Sequence, residues 1–165
     1  MATAEEYGLG PNEFPRGWFI VAESTELDAG PMAVRFWGRD LALYRGEGGK
    51  AIMLDAYCAH MGTHLTASTS AMIVKNGEQI EGNSIRCPYH GWKYDVTGQC
   101  VDVPSEPAEN GFCSRIRLSG YPLIERGGVL WAYLGPPELK PHEPAYDWLG
   151  VPPTHRYVSK RLQES

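Results

Sequence analysis

The sequence predicts an all-β protein. Short apolar runs recur along the chain, each bounded by glycine, asparagine or aspartate, and no window sustains a 3.6-residue apolar period. Nineteen glycines and 13 prolines among 165 residues suit tight turns rather than helices. An all-β sandwich or barrel over residues 14–135 follows. Its first strand is expected at 18–21. Residues 32–36 and 41–44 flank Gly38-Arg39-Asp40 and read as a hairpin, and 51–56 is an apolar run leading into Cys58. Residues 72–74 and 79–80 flank Asn76-Gly77, a dipeptide that accommodates the positive φ angles of a type I′ turn. Residues 92–94 and 99–103 bracket a turn at 95–98. Strands at 116–118, 123–125 and 129–134 complete the set, with Gly127-Gly128 turning the last pair.

After Leu134 the composition changes. Six of the 13 prolines lie between Pro136 and Pro153, so this stretch is expected to be an extended connector, with Trp148 anchoring it. Residues 156–163 alternate weakly, as a strand would. The organisation read from the sequence is an arm at 1–13, a domain at 14–135, and a Pro-rich connector at 136–165 ending in the first strand of a further domain.

Composition excludes several classes of function. Hydrophobic residues at 42% and charged residues at 21% are those of a folded chain, and at this length about 70% of the unfolded surface is hidden, so no disulfide is needed for a core. The charge sum, 15 − 20 = −5, argues against a nucleic-acid partner. No apolar run reaches the roughly 20 residues of a membrane helix. Residues 1–6 lack the basic start and apolar segment of a signal peptide, so the expected location is cytoplasmic.

Two segments carry the chemistry: CAHMG at 58–62 and CPYHGW at 87–92. Each offers a thiolate and an imidazole from one loop, and the 26 residues between His60 and Cys87 suffice to bring two hairpin tips face to face. Structural zinc usually pairs like ligands, as C-x₂₋₄-C and H-x₃₋₅-H. The mixed pairs here suit a two-iron cluster, with both sulfurs on one iron and both imidazoles on the other. A closed zinc site and chance placement of core thiols and surface imidazoles are the other readings of the residues alone.

These segments resemble the ligand loops of Rieske [2Fe–2S] domains. The resemblance implies that the fold is an antiparallel sandwich, that Cys58 and Cys87 hold an inner iron and that His60 and His90 hold an outer one. Met61, Gly62, Tyr89, Gly91, Trp92 and Tyr94 would surround the cluster. Gly62 and Gly91 would let backbone amides approach its sulfurs, and Tyr94 would either donate a hydrogen bond to a ligand sulfur or pack as a plain aromatic. Met61 and Trp92 would shield the cluster from water or rim a docking surface.

Respiratory-chain Rieske proteins carry an extra disulfide-forming cysteine in each loop. Thr63 and Tyr89 stand at those positions here, and Trp92 replaces their serine. HGW is instead similar to the Rieske domains of ring-hydroxylating oxygenases and their ferredoxins, and FPRGWF at 14–19 is similar to the entry of oxygenase α-subunits of the phthalate dioxygenase group. The implied role is one-electron transfer from a flavin or iron–sulfur reductase to a mononuclear non-heme iron in the catalytic domain of the same or a neighbouring subunit, in an enzyme that hydroxylates aromatic rings and is often a homotrimer.

No catalytic residue is expected in these 165 residues, since His64, His142 and His155 do not form the D-x₂-H-x₄₋₅-H arrangement of the mononuclear site. Alternatives are a stand-alone Rieske ferredoxin and a zinc-stabilised β binding module. Cys100 and Cys113 are expected to be ordinary thiols and His64 a loop residue. Trp18, Trp37 and Trp131 read as core or hairpin aromatics. The excess length at 68–82 is expected to decorate the domain rather than contact a neighbouring subunit.

Overall fold

The computed structural model describes residues 17–67, 74, 78–107 and 110–161, and it is all-β and antiparallel. The strands are β1 (Phe19–Glu23), β2 (Met32–Phe36), β3 (Arg39–Arg45), β4 (Ala51–Asp55), β5 (Ile80–Glu81), β6 (Ser84–Arg86), β7 (Lys93–Tyr94), β8 (Cys100–Asp102), β9 (Gly120–Tyr121), β10 (Leu123–Arg126) and β11 (Val129–Ala132). The expected arm at 1–13, the Phe14-Pro15-Arg16 part of the entry segment and the Asn76-Gly77 turn lie outside the described residues. The chain divides into two compact units, Gly30–Tyr121 and a discontinuous one made of residues 1–29 and 122–165.

The 30–121 unit holds two four-stranded sheets, ordered β2-β3-β4-β9 and β5-β6-β7-β8. Alternation decides what each presents to the core. Ala42 and Tyr44 of β3 and Ile52 and Leu54 of β4 join Ile85, Tyr94 and Cys100 of the second sheet in one buried cluster, together with Cys58, Leu65, Cys87 and Trp92 from the loops. In the second sheet Ile80 pairs with Ile85, Ile85 with Tyr94, and Tyr94 with Cys100. One residue along, Arg86 pairs with Lys93 and Lys93 with Asp102, a charged row on the opposite face of the pleat.

The 95–98 turn forms as expected. The Asp95 carboxylate accepts from the backbone N–H of Thr97 (2.8 Å) and of Gln99 (3.0 Å). The β2–β3 turn falls one residue earlier than expected, on Trp37 and Gly38, with both at positive φ (47° and 75°). Residues 116–118 form no strand; Arg117 makes a single bridge to Gln99, and pairing resumes at β9 against Met53 and Leu54.

In the other unit β11 is central, flanked by β1 and β10. The Pro-rich stretch is more ordered than an extended connector. It makes three short 3₁₀ turns (Pro137–Leu139, Asp147–Gly150, Pro153–His155), two of which begin at proline, where a missing N–H costs nothing. Trp148 anchors it as expected, stacked on Tyr146 with ring centroids 6.0 Å apart and 6.1 Å from Trp131. Trp18 donates its indole N–H to the Pro141 carbonyl (3.3 Å). Residues 156–161 form no strand. Their weak alternation has no ladder partner among the described residues, and Lys160 is held instead by an ion pair with Glu26. Residues 162–163 of that expected strand lie outside the described residues. No helix among the described residues is long and apolar enough to cross a membrane.

Gly98 closes the 95–98 turn at φ +83°, and a Cβ there would stand 2.2 Å from the Leu118 carbonyl oxygen. Gly98→Ala is expected to destabilise the fold by more than about 1 kcal/mol, through the left-handed conformation and that clash together. Urea denaturation followed by tryptophan fluorescence checks it.

Candidate metal centre

The loops 58–63 and 87–92 close in the same way. In the first, the Cys58 N–H donates to the Thr63 carbonyl (2.9 Å) and the Gly62 N–H to the Cys58 carbonyl (2.9 Å). In the second, the Cys87 N–H donates to Trp92 (2.7 Å) and the Gly91 N–H to Cys87 (3.1 Å). Each is a six-residue ring that turns on a glycine at positive φ, +69° at Gly62 and +78° at Gly91, which a side chain would resist. The rings differ in where the imidazole sits: two residues after Cys58, three after Cys87.

Four of the side chains singled out from the sequence meet between these loops. The Cys58 and Cys87 thiols are buried and hydrogen-bonded to each other, and the His60 and His90 rings lie with centroids 4.8 Å apart. His60 is exposed and His90 half-buried. The thiol pair is strongly asymmetric. Cys58 is drawn down to about 6, chiefly by its bond with Cys87, against burial and with help from the Tyr94 hydroxyl and the His60 N–H. Cys87 is pushed up by the same bond and by burial.

The Tyr94 hydroxyl accepts the Ala59 N–H (3.2 Å) and lies 3.2 Å from Cys58 Sγ. A thiolate carries no proton, so once Cys58 is deprotonated the hydroxyl is the donor of this pair. Of the two roles open to Tyr94, hydrogen bonding is the one the geometry holds.

The other predicted neighbours separate into interior and exterior. Trp92 is only 8% exposed, stacks flat on His60 (4.6 Å, 7°) and takes the edge of Phe112 (5.7 Å). Met61 and Tyr89 are 65% and 52% exposed. Trp92 therefore lies on the interior side, and Met61 and Tyr89 lie at the surface.

His64 is turned away from the centre, its Nδ1 bonded to the Thr66 hydroxyl (2.9 Å). Cys100 and Cys113 are free thiols, and Cys100 is pushed up to about 12, first by burial and then by Cys113. Sequence reasoning passed over Arg86, Glu81, Lys93 and Asp102, which form an ionic network beneath the second loop. A charge placed directly before Cys87 was its only local signal.

The residues fit a two-iron cluster on one observation above all. Nδ1 of His90 is buried and has no hydrogen-bond partner, an expensive state for an imidazole nitrogen unless it serves as a ligand. Among the described residues no three His, Cys, Asp or Glu side chains gather as for a mononuclear site. A binuclear cluster needs only two protein donors per iron.

The family description "Rieske [2Fe-2S] domain" matches residues 17–122. This chain belongs to the Rieske family. The Rieske chain is 34% identical over 140 residues to the phthalate 4,5-dioxygenase oxygenase subunit of Pseudomonas putida, covering 85% of this chain and 29% of that protein. It is 39% identical over 134 residues to the phenoxybenzoate dioxygenase subunit alpha of Ectopseudomonas oleovorans (81% and 30%). The terminal oxygenase of carbazole 1,9a-dioxygenase from Novosphingobium sp. KA1 superposes with a TM-score of 0.60 at 26% identity, over 86% of this chain and 35% of that one. The Rieske chain thus spans about three-tenths of the length of these curated relatives.

Glu81 accepts two bonds from Arg86 (2.7 and 3.0 Å) and one from Lys93 (3.0 Å), and the Arg86 guanidinium foremost holds its carboxyl down at about 2. A depressed carboxyl contributes stability above its unfolded value near 4.3, and that contribution is lost as pH falls toward 2. The carboxylate is 45% exposed, so screening limits the effect. Glu81→Gln should cost under about 1 kcal/mol at pH 7 and progressively less below pH 4, checked by urea melts across that range.

Proposed function

We propose that this Rieske domain carries single electrons from a ferredoxin or reductase to the mononuclear iron of an oxygenase catalytic domain, with Cys58 and Cys87 on the inner iron and His60 and His90 on the outer. The convergence of the two thiols and two imidazoles, with Nδ1 of His90 left without a partner, carries this reading. When bound, the cluster accepts and releases one electron at roughly −150 to +300 mV, against about −400 mV for all-thiolate plant-type clusters.

The chain's own residues condition that exchange. Trp92 and Phe112 keep water from the inner side, and the exposed His60 ring is the outlet toward an acceptor. Tyr94 donates its hydroxyl proton to Cys58 Sγ and so stabilises the more negative reduced state. Oxygen activation is assigned to the mononuclear iron. That step, and the choice of an aromatic substrate, belong to a catalytic domain for which residues 136–165 serve as the lead-in. The acceptor would be the catalytic domain of the same or a neighbouring subunit, in a cytoplasmic homotrimer.

Anaerobically purified protein should contain two irons and two acid-labile sulfides per chain and give a rhombic EPR signal after dithionite reduction. One zinc and no sulfide would overturn the reading in favour of a structural module. Tyr94→Phe should keep the cluster and lower the midpoint potential in a spectroelectrochemical titration. An unchanged potential would remove the hydroxyl from the account.

A further inference from the structure

Arg86 precedes Cys87 and ends β6, so its side chain stands at the base of the 87–92 loop. Its guanidinium engages two strands and the loop itself. Nε and Nη2 grip the Glu81 carboxylate of β5 (2.7 and 3.0 Å), and Nη1 donates to the Asp102 carboxylate of β8 (2.7 Å) and to the Gly91 carbonyl (2.6 Å). The side chain is 14% exposed. Only a planar fork with several fixed N–H donors can serve all these acceptors at once; an ammonium is a single point of charge.

Gly91 is the residue on which the second loop turns. A trans peptide is planar, so gripping the Gly91 carbonyl fixes the plane of the Gly91–Trp92 peptide. The loop closes on either side of that plane, through Gly91 N–H to Cys87 and Cys87 N–H to Trp92. The backbone N–H groups of Tyr89 and His90 belong to this closed loop and favour the Cys87 thiolate, so the shape of the loop sets their approach to the sulfur. Amide donors on a ligand sulfur favour the reduced centre. The network's own charges cancel, Arg86 and Lys93 against Glu81 and Asp102.

We propose that Arg86 is a positioning residue for the redox centre: by holding the Gly91 carbonyl it keeps loop 87–92 in the shape that aims the Tyr89 and His90 amides at Cys87, and so raises the midpoint potential. The proposal rests on the Rieske reading above. It assigns Glu81 and Asp102 the task of anchoring the guanidinium.

The test compares midpoint potentials of the anaerobically purified, cluster-containing protein with those of two variants. Arg86→Lys keeps the charge and loses the fork; the potential should fall although no charge has changed. Asp102→Ala removes one anchor together with one negative charge. A loosened loop lowers the potential, whereas charge alone would raise it, so the sign decides. An unshifted Arg86→Lys, or a raised Asp102→Ala, overturns the proposal. If Arg86→Lys does not retain its cluster, the sign for Asp102→Ala decides, since the Asp102 side chain is 42% exposed and dispensable to the core. Wild-type protein lacking two irons and two sulfides would overturn the Rieske reading itself, before any variant is compared.

Discussion

Two cysteine sulfurs have to be kept out of water and close together while remaining within an electron's reach of the surface, and the architecture of the 30–121 unit answers to that demand. Sulfur bearing negative charge is costly to bury unless donors surround it. Here the donors are local: the Tyr94 hydroxyl lies 3.2 Å from Cys58 Sγ, and each loop carries backbone N–H groups that favour its own thiolate. Loops of six residues can supply such donors only if they turn sharply, which is why each closes on a glycine at positive φ. The sheets then hold the two rings against a shared core that includes both thiols.

Polarity runs outward from that core in a short distance. The thiols are buried, Trp92 closes the side next to His60, and His60 itself reaches solvent. Soft thiols stand at the inner end and an exposed imidazole at the outer end. The same division runs through the neighbouring side chains: Trp92 and Tyr94 belong to the interior, while Met61 and Tyr89 are exposed.

The ligand motifs and the all-β class were legible because both are local: residue type, spacing and turn-forming glycines sit within a few positions of one another. What escaped the sequence was set by pairing at a distance. β6 and β9 are only three and two residues long, and β9 exists because Gly120 and Tyr121 meet β4. Residues 156–161 show the converse, alternation without a partner. Tyr94 was visible as an aromatic near the ligands, but its aim at Cys58 depends on the register linking Ile85, Tyr94 and Cys100. Arg86 was hidden for the same reason, since Asp102 reaches it only through the β6–β7–β8 ladder.

The one-residue difference in where each loop carries its imidazole has its own consequence. Two rings closed by the same hydrogen bonds would be interchangeable if His60 and His90 held equivalent places. Because they do not, one imidazole is open to solvent and the other is tucked against Tyr89, its ring centroid 3.7 Å away. The pair has a front and a back, with His60 on the solvent side.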